Sequence, residues 1–193
     1  MLLKIQKSHQ GEFLMNLMTI FTACAALFCS TTFAQGNLIY NGTFDLQVPT
    51  NGTGGGWTST GNGGGWYQVD GNYFFILNSI VELQQDPSVE QTITGLAIGE
   101  IYRIQGEYRN FYGLSYCDSS AFSFGVEVDG RIVLERKYLS DTFSPFQVNF
   151  VASATEQSIR FSAERNGTDC DYAIDNIQVN LLSMVFRDSF EDP

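Results

Sequence analysis

Glu127-Val128-Asp129 sets two carboxylates two residues apart, and in an extended chain both project from one face. Paired carboxylates can divide the acid and base roles of glycoside cleavage without a histidine. That matters because the 193-residue chain has a single histidine, His9, inside a segment that reads as a leader. Ser-His-Asp and Cys-His nucleophile systems, histidine zinc sites and imidazole proton shuttles are therefore excluded from the rest of the chain. Asp129 has a competing explanation, since Asp129-Gly130 between two alternating segments is a hairpin-turn signal. Glu107 and Glu127 fall on polar strand faces, where most acids are simply solvated.

Flat rings offer a different chemistry. An aromatic face packs against the C–H face of a pyranose, and neighbouring polar groups replace the water on its hydroxyls. Trp66 and Tyr67 stand at the edge of a glycine-rich segment, Tyr73 and Phe74 follow a turn, and Tyr108, Phe111, Tyr112 and Tyr116 punctuate residues 108–118. Arg109, Asn110 and Asp118 lie among them with hydrogen-bonding groups. Most Phe and Tyr residues in a strand-built core are packing residues, and Trp57, directly after Gly56, is expected inside. The ligand set that remains is Trp66, Tyr67, Tyr108, Arg109, Tyr112 and Tyr116.

These residues are expected to act outside the cytoplasm. Lys4, Lys7 and His9 precede an apolar run from Phe13 to Phe28, and Thr32-Phe33-Ala34 follows, the order of a secretory signal peptide with cleavage after Ala34. The run of about 16 residues is short of the roughly 20 needed to cross a bilayer. Removing Lys4, Lys7 and Glu12 from ten basic and twenty-one acidic residues leaves eight and twenty, a formal charge of −12. Such a surface repels phosphate backbones and anionic lipid, so nucleic acid is a poor partner, no membrane insertion is expected after cleavage, and a neutral sugar or a cation is favoured. Cys24 and Cys29 leave with the leader, so Cys117 and Cys170 remain as one pair, expected to form a disulfide in an oxidising compartment. On the chain-entropy model that bridge contributes up to about 4 kcal/mol.

From Asn37 onward the hydrophobic period is two. Tyr102, Ile104 and Tyr108 share one face against Arg103, Gln105 and Glu107; Phe122, Phe124, Val126 and Val128 alternate with Ser123, Gly125 and Glu127. Further strands are expected at 89–93, 131–135, 146–151, 158–163 and 172–181. Strands with one apolar face each need a second sheet to cover them, so the expectation is all-β, a β-sandwich or jelly roll. Residues 51–66 hold eight glycines and two tryptophans, and read as a loop. The stretch has no lysine, which removes a phosphate cradle. The expected organisation is a leader at 1–34, one domain at 35–183 and a tail at 184–193, whose role stays open between docking and sorting.

Taken in order, Asn37-Leu-Ile-Tyr-Asn-Gly-Thr-Phe-Asp45, Gly56-Trp57, Glu90-Gln-Thr-Ile-Thr-Gly-Leu96, Gly99-Glu-Ile-Tyr-Arg-Ile-Gln-Gly106 and Tyr172-Ala-Ile-Asp-Asn-Ile-Gln-Val179 resemble carbohydrate-binding modules of the galactose-binding-like jelly-roll superfamily. The resemblance implies a secreted, non-catalytic, monomeric domain that binds a neutral oligo- or polysaccharide. It also implies a structural calcium ion held by Asp45 and Asp175, with carbonyl oxygens near residues 41–43 as further ligands. Two alternatives stay open. One is an adhesion or cell-surface sandwich that binds no sugar. The other is a β-sandwich glycosidase or polysaccharide lyase, although the third acid that such glycosidases place three residues after the aspartate would fall at Ile132.

Overall fold

The computed structural model describes residues 36–61, 64–77, 86–111, 123–136, 140–163 and 171–182, without the side chains of 64–66. Alternating sequence produces eleven strands there: β1 (Thr53–Gly54), β2 (Trp57–Thr60), β3 (Gly64–Val69), β4 (Asn72–Leu77), β5 (Ser88–Thr94), β6 (Ile101–Asn110), β7 (Phe124–Val128), β8 (Arg131–Arg136), β9 (Ser144–Val151), β10 (Glu156–Ala163) and β11 (Tyr172–Leu181). Two antiparallel sheets result, ordered β1-β2-β5-β10-β7-β8 and β3-β4-β11-β6-β9. The described residues contain no helix, and so none long and apolar enough to cross a membrane. The expected leader and tail lie outside the described residues, as do Cys117 and Cys170.

Two Asp-Gly pairs set the hairpins. Asp70-Gly71 joins β3 to β4 and Asp129-Gly130 joins β7 to β8; φ is 52° and 84° in the first and 49° and 74° in the second. Positive φ at both central residues is the requirement of a type I′ turn. The glycine-rich segment differs from the loop expected of it, because β1, β2 and the start of β3 run through it. Strand pairing is a backbone property, so glycine-rich sequence can satisfy the ladder while supplying no side-chain alternation to betray it.

The core lies between the sheets. Trp57 is fully buried, stacks at 5.4 Å on Phe44, and donates its indole N–H to the Asn41 carbonyl at 3.0 Å. Phe124 links the centre, 5.1 Å from Tyr108, 5.5 Å from Phe146 and 6.4 Å from Phe161. The first three residues of β11 pair with β4, and the N-terminal segment occupies the edge beyond them. Leu38 N–H donates to the Val179 carbonyl and Ile177 N–H to the Gly42 carbonyl, each at 2.9 Å. The Asn37 side chain accepts from the Ile39 and Val179 N–H groups and donates to the Ile177 carbonyl.

This clasp leaves no room at Gly42, where a Cβ would overlap the Ile177 carbonyl oxygen. Gly42→Ala is expected to destabilise the fold by about 3 kcal/mol, the upper end for overpacking a rigid contact. Chemical denaturation of the purified variant measures it, and an unchanged midpoint would contradict the clasp.

Candidate functional site

Alternation in β6 that buries Tyr102, Ile104 and Tyr108 turns Arg103, Gln105, Glu107 and Arg109 to the outside of the five-stranded sheet. Cross-strand register extends each into a row. Arg109 lies opposite Ala173, which lies opposite Ile76; Glu107 lies between Asp175 and Pro145; Gln105 lies between Gln178 and Gln147; Arg103 lies between Asn180 and Asn149. Tyr67 stands opposite Phe74 on the neighbouring hairpin. One sheet face therefore carries two different surfaces.

The first is apolar. Phe74, Ile76 and Ala173 are buried on this outward face, with Phe111 and Phe143 packed over them. Tyr67 meets Phe111 edge-on at 5.0 Å and keeps 46% of its surface exposed. The Arg109 guanidinium carbon sits 4.8, 5.2 and 5.7 Å from the ring centres of Phe143, Phe74 and Phe111. Its Nε is buried without a hydrogen-bond partner.

The second is polar. A cleft of about 650 Å³ is lined by Gln105, Glu107, Pro145, Gln147, Asn176 and Gln178 among others. Three of its four amides are held by hydrogen bonds to neighbouring side chains. Gln105 donates to Gln178 at 3.1 Å and Asn176 to the Glu107 carboxylate at 2.9 Å, with Arg103 donating to Asn149 at 3.3 Å on the next row.

Asp175 adjoins this surface but is almost fully buried. Its carboxylate accepts from the Asn176 N–H at 2.7 Å and from the Asn72 amide at 3.0 Å. Burial raises its pKa above the ordinary aspartate value, those two bonds oppose the shift, and the nearby charges of Glu107 and Asp45 add to it. Asp45 is exposed and accepts from the Thr43 hydroxyl at 2.7 Å. Among the described residues no basic side chain forms an ion pair with either aspartate.

No family model matches the sequence, and no curated protein sequence matches it. Solved structures do resemble the fold. A CBM61 module in complex with β-1,4-galactotriose aligns with a TM-score of 0.53 at 14% identity, covering 77% of this chain and 100% of the module. A CBM4 module aligns at 0.51 and 16%, covering 75% and 99%. A putative sugar-binding protein from Bacteroides thetaiotaomicron aligns at 0.54 and 10%, covering 76% and 100%. The fold is that of a carbohydrate-binding-module jelly roll. This chain spans 64% of a sugar-binding EclA C-terminal domain and 21% of the enzymatically active domain of a bacteriophage CBA120 tailspike protein, two further structures that it matches.

Of the six ligand residues expected from sequence, the module-like fold brings Tyr67 and Arg109 together on one face. Tyr108 requires correction: it is 8% exposed, stacks on Phe124 and meets Phe146 edge-on inside the sandwich, so its ring cannot serve a ligand on the outer face. Its place was already implied by sharing parity with Tyr102 and Ile104. Trp66 lies opposite Phe75 in the backbone register, but its side chain is outside the described residues, as are Tyr112, Tyr116 and Asp118. Asn110 is buried. Gln105, Gln147, Asn176, Gln178 and Phe143 were not singled out from sequence. The polar parity of β6 could have flagged Gln105, but Phe143 precedes a strand and gives no periodic signal.

The Glu127 and Asp129 pair is on the other sheet and is held in structural bonds. Asp129 accepts from the Ser158 N–H at 2.8 Å and the Gln157 amide at 2.7 Å, while Glu127 accepts from Ser162 and lies 3.7 Å from Arg160.

Phe74 and Tyr67 touch the same ring cluster but differ in burial, which separates packing from display. Phe74→Ala is expected to cost about 3 kcal/mol, as for a buried aromatic, and Tyr67→Ala less than about 1 kcal/mol. Thermal melts of both variants test the division, and equal losses would place Tyr67 in the packing too.

Proposed function

We propose that the protein is exported and binds a glycan, without cleaving it, across the outer face of the five-stranded sheet. The observation that carries this reading is the exposed Tyr67 ring on the same sheet face as a cleft in which Gln105, Gln178 and Asn176 are held by hydrogen bonds. A sugar ring stacked on tyrosine loses apolar hydration, and Gln and Asn side chains both donate to and accept from hydroxyls. Because these amides are already positioned, little side-chain entropy remains to be lost on binding. Uncharged sugar units suit the amide strip. The similar structures, a module in complex with β-1,4-galactotriose and a putative sugar-binding protein, support the reading at the level of fold.

A glycan array followed by titration calorimetry on the mature protein tests it. Tyr67→Ala and Gln105→Ala are each expected to weaken the best ligand about tenfold, and Tyr112→Ala probes the neighbouring segment. Absence of binding to every glycan would favour an adhesion role. Release of reducing sugar would favour an enzyme.

Calcium between Asp45 and Asp175 is part of the same proposal. The donor chemistry fits, since a buried carboxylate lies near two further carboxylates and none of the three forms an ion pair with a basic side chain among the described residues. The described residues hold no cluster of three or more His, Cys, Asp or Glu ligands, so backbone carbonyls and water would supply the remaining oxygens. The ion would tie the N-terminal turn to β11 and take no part in sugar recognition. At 100-fold over its dissociation constant, calcium would stabilise by about 2.7 kcal/mol and raise the melting temperature by roughly 5 °C or more. A chelator should reverse the shift and Asp175→Asn abolish it; identical melts with calcium and chelator would remove the ion from the proposal.

A further inference from the structure

Arg109 is at odds with its electrical surroundings. Acidic residues outnumber basic ones by twenty-one to ten, yet no carboxylate forms an ion pair with its guanidinium among the described residues. Arg160, by contrast, has Glu127 at 3.7 Å. Three rings enclose the Arg109 guanidinium at 4.8 to 5.7 Å, and Nε is buried without an acceptor. The residue nonetheless keeps part of its surface in solvent. It is thus a partly exposed cation with no ion-pair partner among the described residues, at the ring-lined end of the face assigned to the glycan.

Such a collar prepares a guanidinium for an anion. Arginine is weakly hydrated and always charged, its planar fork matches a carboxylate bidentately, and apolar walls strengthen the attraction by lowering the local dielectric. A neutral hydroxyl would fill one donor but leave the charge unbalanced. The net charge of the chain argues for a neutral ligand only at long range, because salt screens distant charges within about 10 Å at 0.1 M. Contact chemistry is set by the nearest group.

We propose that Arg109 docks the carboxylate of an acidic sugar unit, so that the preferred glycan carries uronate residues beside neutral ones. The inference rests on the glycan reading above. Glu107, two residues along the same strand face, fixes the register. It repels a second carboxylate from the amide cleft and leaves that cleft to uncharged units.

Matched polysaccharide pairs isolate the effect: polygalacturonate, alginate and glucuronoxylan, each compared with its carboxyl-reduced form, in which –COO⁻ has become –CH₂OH on the same backbone. Calorimetric titration in 50 mM NaCl is expected to give about tenfold tighter binding of the acid form in at least one pair. The ratio of the two affinities should fall to about one in Arg109→Gln. In the unmodified protein it should shrink in 500 mM NaCl, a readout that stands even if the variant folds poorly. Glu107→Gln should tighten binding of polygalacturonate, the most densely charged of the three. Equal affinities within every pair that binds would overturn the role of Arg109 and leave the glycan reading intact. Binding of neither form, with neutral galactan also unbound, would remove both.

Discussion

Strand β11 holds one residue too many between Asp175 and Gln178, and Asn176 absorbs it at φ 55°. A bulge of this kind reverses the parity of the strand beyond it. Ile174 faces the core before the bulge and Ile177 faces it afterwards, whereas strict alternation would have put Ile177 outside. Three features hang on that reversal. Ile177 enters the space left by Gly106, where a Cβ would stand 2.6 Å from its Cδ1. Asn176 turns out over the sheet and reaches Glu107. The backbone of 177–179 becomes available to the N-terminal segment through Asn37 and Gly42. Asparagine tolerates the left-handed conformation better than most residues, which makes the irregularity affordable.

The same sheet face solves two opposed problems. An outward patch of Phe74, Ile76 and Ala173 would be a liability if left wet, and Phe111 and Phe143 cover it as a small second core. Burial there immobilises the rings on which Tyr67 leans, so the exposed ring is held without being enclosed. The amide rows alongside remain hydrated and lose little by exchanging water for hydroxyls. A rigid apolar support beside a replaceable polar shell is what reversible recognition of a hydroxyl-rich surface requires.

Much of the scaffold was legible because period-two patterning reports a half-buried strand directly. The strands from Ser88 to Leu181 follow it, and Asp129-Gly130 marks its hairpin by the one backbone conformation that both residues accept. Burial of Trp57 was legible as well. Residues 53–69 were not, since glycine pairs in a ladder without leaving a pattern. Strand β4 was hidden for the opposite reason: Phe74, Phe75, Ile76 and Leu77 are all buried, two to each side, so alternation vanishes. The site was half legible. Tyr67 and Arg109 are aromatic and charged residues of the expected types, but Tyr108 shows that residue type misleads when strand parity is ignored. Asn176 could not be read at all, because a bulge is the point at which parity fails.

Whether this face could cut the proposed glycan turns, among the described residues, on two opposed acids. Hydrolysis of a glycosidic bond needs one protonated carboxyl facing the leaving oxygen and a second carboxylate on the other side of the sugar. Asp175 and Glu107 are cross-strand neighbours, and burial pushes Asp175 in the direction a general acid requires. Its geometry points elsewhere. Both Asp175 oxygens already accept protein N–H groups and the residue is 1% exposed, so it has almost no contact with solvent from which to regain a proton. Glu107 accepts from the Asn176 amide at 2.9 Å. A buried carboxylate bonded to backbone and amide donors orders the bulge, and the bulge shapes the cleft. In the proposed reading, Asp175 and Glu107 shape the cleft through these bonds, and the rings, the amides and Arg109 meet the glycan.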